Sequence, residues 1–299
     1  MTRVSGAPLA RQAYQNHFAI PAFNVFNMES IQAVVAAAEG ADAPVILQVS
    51  PGAIEYAGYG TITDLVLLAA ERAAVPVVAH LDHCRDPVLV RRALDDGYGS
   101  AMFDGSTLSW AENVATTREL AATAAAHGAA IEAELGVIGG REDAERLQQV
   151  LTEPEEAAAF VAACPVDFLA PAIGALHRMP DDSVVLDVSR IAAISRACGR
   201  PIALHGGSGV RREQLPAIVA GGVGKVNISS RLNRAYAAGI RGVWEKDPAQ
   251  LDMRRVLVAA RDAIRSMAGE YFSLCGTAGR ALVRVSAAPD WSSETTEVE

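Results

Sequence analysis

A chain of 299 residues can form one large domain or two ordinary ones, and either buries a sizeable core. Its 35 acidic and 26 basic side chains give a formal charge of −9. That balance excludes a nucleic-acid scaffold, which needs a basic face to displace counterions. It leaves room for a small anion, captured locally by backbone amides or a metal. No apolar run reaches the roughly 18 residues of a membrane helix, and Met1–Gln15 has no apolar leader core. Cys84, Cys164, Cys198 and Cys275 form no C-x-x-C pair, so reduced thiols in a cytoplasmic protein are expected.

In chain order, short apolar strands alternate with amphipathic, Ala-rich helices. The pattern predicts a strand at Phe18–Val25 and a helix at Met28–Gly40, then Pro44–Ser50 and Thr61–Ala73. Pro76–Asp82 and Pro87–Gly97 follow, then Ser100–Asp104 and Ser109–His127. The second half repeats the unit with Ala130–Leu135 and Glu155–Ala163, Phe168–Ile173 and Val188–Cys198. Pro201–His205 and Arg211–Gly221, then Lys225–Ile228 and Leu232–Lys246, complete it. Thr152-Glu153-Pro154-Glu155 reads as a helix start, and Gly40, Gly97, Gly128 and Gly221 as helix ends. Eight β/α units predict an α/β fold, a closed (β/α)8 TIM barrel, with an additional C-terminal helix near Leu251–Leu274. An open dinucleotide-binding sheet is disfavoured because no G-x-G-x-x-G follows the first strand. A single barrel domain is expected over 1–286, with a disordered polar tail at 287–299.

A barrel collects its chemistry at the carboxyl ends of its strands. The polar residues fall there: Asp82-His83, Asp104-Gly105-Ser106, Glu132 and Glu134, His177, His205-Gly206-Gly207-Ser208-Gly209, and Asn227-Ile228-Ser229-Ser230. Three strand-end histidines, His83, His177 and His205, match a three-imidazole zinc site with an open position. His80 falls mid-strand and reads as a satisfied core histidine; His17 and His127 read as surface residues. Asp104 and Glu134 face the same mouth, either as partners that orient the histidines or as a second divalent position. Gly206, Gly207 and Ser208, with Asn227, Ser229 and Ser230, form a loop pair suited to a phosphate. Adjacent residues of a regular strand face opposite ways, so Asp82 and His83 share the site only if their strand ends there.

Taken together the motifs resemble the class II, metal-dependent fructose-bisphosphate and tagatose-bisphosphate aldolases. The runs that carry this are Phe23–Glu29, Gln48–Gly52, His80–His83, Met102–Ser106, Glu132–Gly136, Gly139–Asp143, Leu204–Gly209 and Lys225–Asn227, in the family's order across Tyr14 to Ala281. The resemblance implies that Asp82 and Glu142 are the proton-moving acids. It makes His83, His177 and His205 the zinc ligands and Asp104 and Glu134 holders of an alternative or second metal position. It assigns Asn24, Ser50, Gly206, Gly207, Ser208, Asn227, Ser229, Ser230 and Arg280 to a phosphorylated sugar, Arg280 across a subunit interface. It further implies a monovalent cation and a homodimer or homotetramer, without nucleic-acid or membrane partners. The chain departs from the family at Arg178, where glycine follows the second histidine, at Cys84, and at Ser230-Arg231, where threonine and an acid are usual. Those departures open the reading of a related aldolase acting on a different ketose phosphate.

A Schiff-base aldolase would need a lysine, and only Lys225 and Lys246 exist. Lys225 opens its predicted strand, at the wrong barrel end, and Lys246 ends a helix. A metallohydrolase on the same fold, acting on a neutral substrate, would not need the Gly206–Gly209 and Asn227 cradle. A non-catalytic sugar-phosphate sensor would be expected to lose Asp82 or a zinc histidine, and this chain keeps them.

Overall fold

The computed structural model describes residues 4–138, 150–175 and 179–281. Glu142, His177 and Arg178, and the 287–299 tail, lie outside the described residues. Eight parallel strands close into a barrel in sequence order: β1 Ile20–Asn24, β2 Val45–Val49, β3 Val77–Cys84, β4 Ser100–Phe103, β5 Ala130–Leu135, β6 Phe168–Pro171, β7 Ile202–Leu204 and β8 Val223–Ile228. The helices are α1 Gly6–Gln15, α2 Met28–Gly40, α3 Pro51–Ala57, α4 Tyr59–Arg72, α5 Pro87–Asp95, α6 Trp110–Ala126, α7 Pro154–Ala163, α8 Val188–Cys198, α9 Leu215–Ala220, α10 Ser230–Lys246 and α11 Met253–Leu274. The fold is therefore a (β/α)8 barrel with a C-terminal helix, α11. No described helix is long and apolar enough to cross a membrane.

Local chemistry starts the helices where they start. Asn27 and Ser30 cap α2 reciprocally, as Ser109 and Glu112 cap α6. Proline occupies the first turn of α3, α5 and α7, where its missing N–H costs nothing.

Apolar side chains fill two layers. The larger layer lies between strands and helices, with Leu47, Val77, Leu81 and Ile131 packed among Val34, Ile62, Val66 and Leu120. The smaller one fills the lumen. There Ile20, Ile46 and Val78 meet Leu9 and Ala13 of α1, and Met102, Phe168 and Ala203 meet Ala10 of the same helix. Helix α1 thus plugs the amino-terminal end of the barrel. It is absent from the pattern-based reading, as is α3. The segment Gly221–Val223 also differs from expectation, since β8 begins two residues before Lys225.

Candidate active site

Above the apolar plug the lumen turns polar. The inward faces of β2, β3, β5 and β8 carry Gln48, His80, Asp82, Glu132, Glu134, Lys225 and Asn227, and His205 directly follows β7; all are buried. A fully buried charge is tolerable only when paired and hydrogen-bonded, and Lys225 and Glu132 are. Lys225 Nζ donates to Glu132 Oε2 at 2.7 Å, and both side chains are wholly excluded from solvent. Glu132 Oε1 accepts from His205 Nε2 at 2.7 Å. A carboxylate at that distance favours a proton on Nε2 and leaves Nδ1 facing His83, whose Nε2 lies 2.8 Å away. His80 Nδ1 stands 2.9 Å from Ser100 Oγ, and its Nε2 3.3 Å from Lys225 Nζ. It is the satisfied core histidine that the sequence suggests.

Two sequence-based expectations need correction here. Strand β3 does not end at Asp82; it runs on to Cys84. Its register against β4 shifts between Leu81 and Cys84, and His83 adopts φ +49°. This bulge turns Asp82 and His83 toward one site. The left-handed conformation costs a non-glycine residue about 1–2 kcal/mol, a strain held by the surrounding sheet. Lys225 is not at the far end of the barrel but in the lumen, beside the histidines. It remains unsuited to Schiff-base chemistry, because an ammonium held in an ion pair with Glu132 offers no lone pair to a carbonyl.

The predicted ligands that the structure describes do converge. Single ligand atoms from Asp82, His83 and His205 lie within 4.8 Å of one another, as do atoms from His83, Asp104 and Glu134. His83 Nδ1 is 3.5 Å from Glu134 Oε2. Asp104 accepts from Arg85 Nε at 3.1 Å on one oxygen and from Ser106 Oγ at 2.6 Å on the other. Among buried acceptors, Asp82 Oδ1 and Glu134 Oε2 receive no hydrogen bond. Imidazole nitrogens, converging carboxylates and orphaned acceptor oxygens in a buried site together fit a divalent cation.

Asp82 is held in its charged form. Burial opposes ionisation, but the neighbouring His83, Lys225, His205 and His80 outweigh it and keep the carboxyl below the usual carboxylate range. Asn24 Nδ2 donates to Asp82 Oδ2 at 2.7 Å, and Gln48 Nε2 donates to Asn24 Oδ1 at 3.0 Å. One Asp82 oxygen is thereby fixed and the other left available.

Asn24 and Ser50 border a cavity of about 460 Å³ that Phe26, Gly52, Tyr56, Ser229 and Asn233 also line. Asn227 Nδ2 lies 3.3 Å from the His205 ring nitrogens. Gly206 takes φ +66°. At Gly207 a Cβ would come within 2.8 Å of the Asn227 carbonyl oxygen, so only glycine lets this turn lie against β8. Ser208 Oγ accepts the backbone N–H groups of Ser229 and Arg231 at 3.2 and 3.3 Å, which joins the turn to the first residues of α10. Ser230 begins that helix. Arg280 is not brought to this site within the chain. Its Nε donates to Gly276 O, and its guanidinium lies 4.8 Å from the ring of Phe18, which precedes β1 at the opposite barrel end.

Sequence reasoning left Glu132, Lys225 and Gln48 without roles. Glu132 carried a usable signal: it alternates with Glu134 in an otherwise apolar strand, so both must face the lumen.

The sequence profile described as fructose-bisphosphate aldolase class-II matches residues 4–280. The chain is 34% identical over 285 residues to a fructose-bisphosphate aldolase of Geobacillus stearothermophilus, covering 94% of this chain and 99% of that one. A sulfofructosephosphate aldolase of Alkalicoccus urumqiensis is 33% identical over 285 residues, with the same coverage. The crystal structure of the YdjI aldolase of Escherichia coli K12 superposes with a TM-score of 0.82 at 28% identity, covering 93% of this chain and 99% of that one.

Proposed function

The chain belongs to the class II fructose-bisphosphate aldolase family and is an aldolase, and we propose that it cleaves a phosphorylated ketose reversibly, with zinc, to dihydroxyacetone phosphate and an aldehyde. The observation that carries this is the convergence of Asp82 with His83 and His205 within 4.8 Å in a buried site. His83, His177 and His205 would hold the zinc ion, with Asp104 and Glu134 as a second position, and the bound metal would supply Lewis-acid stabilisation of the negative charge left when the carbon–carbon bond breaks.

The protein's own groups do the rest. Glu132 fixes the His205 ring so that Nδ1 faces the ligand side, and Lys225 keeps Glu132 ionised. Asp82 uses Oδ1, the oxygen without a hydrogen bond, to take the C4 hydroxyl proton in cleavage and to return it in condensation. Asn24 holds the other oxygen and so sets the aim of the first. Glu142 handles the C3 proton. The phosphate binds where Gly206, Gly207 and Ser208 approach Asn227, Ser229 and Ser230, with backbone amides as donors. Asn24 and Ser50 line the aldehyde half, and Arg280 serves that end from a neighbouring subunit of a homo-oligomer.

The test is an aldol-cleavage assay over fructose 1,6-bisphosphate, tagatose 1,6-bisphosphate and sulfofructose phosphate, with and without chelator, beside elemental analysis. About one tightly bound zinc per chain and chelator-sensitive cleavage of at least one ketose are expected. Asp82→Ala should retain fold and zinc yet lose cleavage by about 100-fold or more; near-normal turnover would reassign the base.

A further inference from the structure

Arg231 stands where a cation is least welcome. It is the second residue of α10, at the positive end of that helix, and only 8% exposed. Such a placement persists only with strong compensation. The compensation comes from another loop. Arg231 Nη2 lies 3.1 Å from Asp182 Oδ1 and donates to Ser208 O at 3.1 Å, while its Nε is 3.7 Å from Asp181 Oδ1. One nitrogen thus spans a carboxylate and the carbonyl of the glycine-rich turn. Asp181 is also bound by Arg234 at 2.7 Å, and Asp182 by Arg212 at 3.4 Å, but both of those side chains are far more open to solvent than Arg231.

Backbone bonds keep the two aspartates beside the turn. Ser183 N and Val184 N both donate to Gly209 O at 2.9 Å, and Arg211 N donates to Val184 O. The segment after β6 is therefore strapped to Gly206–Gly209 and carries two negative charges with it.

We propose that Arg231 is a positioning residue that neutralises Asp181 and Asp182, so that the Gly206–Gly209 turn accepts a phosphate dianion. This rests on the phosphate-cradle reading above. Arg231 acts through the aspartates and the Ser208 carbonyl and makes no contact with the substrate. It follows that the cost of losing Arg231 is electrostatic and reversible by removing the charges it cancels.

The experiment measures inorganic phosphate as an inhibitor, KM and kcat for the best ketose phosphate, and zinc content. Arg231→Met should raise both the phosphate inhibition constant and KM by about 10- to 100-fold. Its kcat should stay within about 3-fold and its zinc content should not change. Adding Asp181→Asn and Asp182→Asn to Arg231→Met should restore phosphate binding to within about 5-fold of the parent. A triple variant as weak as Arg231→Met would overturn the proposal and make Arg231 a direct anion ligand or a purely structural group. Should Arg231→Met fail to fold, Asp181→Asn/Asp182→Asn in the parent decides the matter. Phosphate should then bind several-fold tighter, and unchanged binding sinks the idea. If the parent itself is insensitive to phosphate, the cradle reading fails instead.

Discussion

Replacing Lys225 by methionine removes one charge from a pair that no solvent reaches. The Lys225–Glu132 contact is 2.7 Å, and both side chains are fully buried. After the change Glu132 keeps its bond to His205 but loses its only full positive neighbour at contact distance among the described residues. Breaking a buried pair by deleting one partner typically costs about 3–5 kcal/mol, because the surviving charge is uncompensated. Replacing both charges by neutral groups of similar shape is often close to neutral. The double variant Lys225→Met/Glu132→Gln should therefore lie within about 1.5 kcal/mol of the parent, a coupling of about 2 kcal/mol or more. Urea denaturation of metal-free protein measures it, since a bound metal would add its own stabilisation to the folded state. Simple additivity of the two single changes, or a Lys225→Met cost under about 1 kcal/mol, would show that the buried charges are not held as a pair.

Two further outcomes follow from the same geometry. Gly207→Ala forces a Cβ to within 2.8 Å of the Asn227 carbonyl oxygen. KM for the phosphorylated substrate should rise about tenfold or more while zinc content is unchanged, and a KM within twofold would show that the turn does not touch the anion. Burial, then Lys225, push the His80 pKa from its ordinary 6.5 down to about 3. Between those values the unfolded chain binds a proton that the folded protein refuses. Metal-free stability should therefore fall as pH drops through this interval, by roughly 1.4 kcal/mol per pH unit from this group. His80→Gln should flatten that slope in pH-dependent urea melts, and an unaltered slope would assign it elsewhere.

The barrel was legible because its signal repeats. Eight apolar strands, each followed by an amphipathic helix, admit few architectures, and an error of two residues at one strand leaves the closure intact. The candidate ligand residues were legible for a related reason: strand ends on one side of a barrel share one mouth, so His83, Asp104, Glu134 and His205 fall together on position alone. What escaped was chemistry that depends on which way a side chain turns within a strand. His83 adopts φ +49°, a conformation that histidine visits far less often than glycine and that no neighbouring glycine announces, so the bulge that unites it with Asp82 was invisible. Lys225 was misplaced because Gly221-Gly222 looks like a turn that delays β8, whereas the strand starts at Val223 and carries the lysine into the lumen. Once there, Lys225 gives Glu132 a reason to exist, and Glu132 gives His205 its orientation. Lys225, Glu132, His205 and His83 thus form one chain of polar contacts. Its outer members were readable from position alone, and its inner pair only from distance.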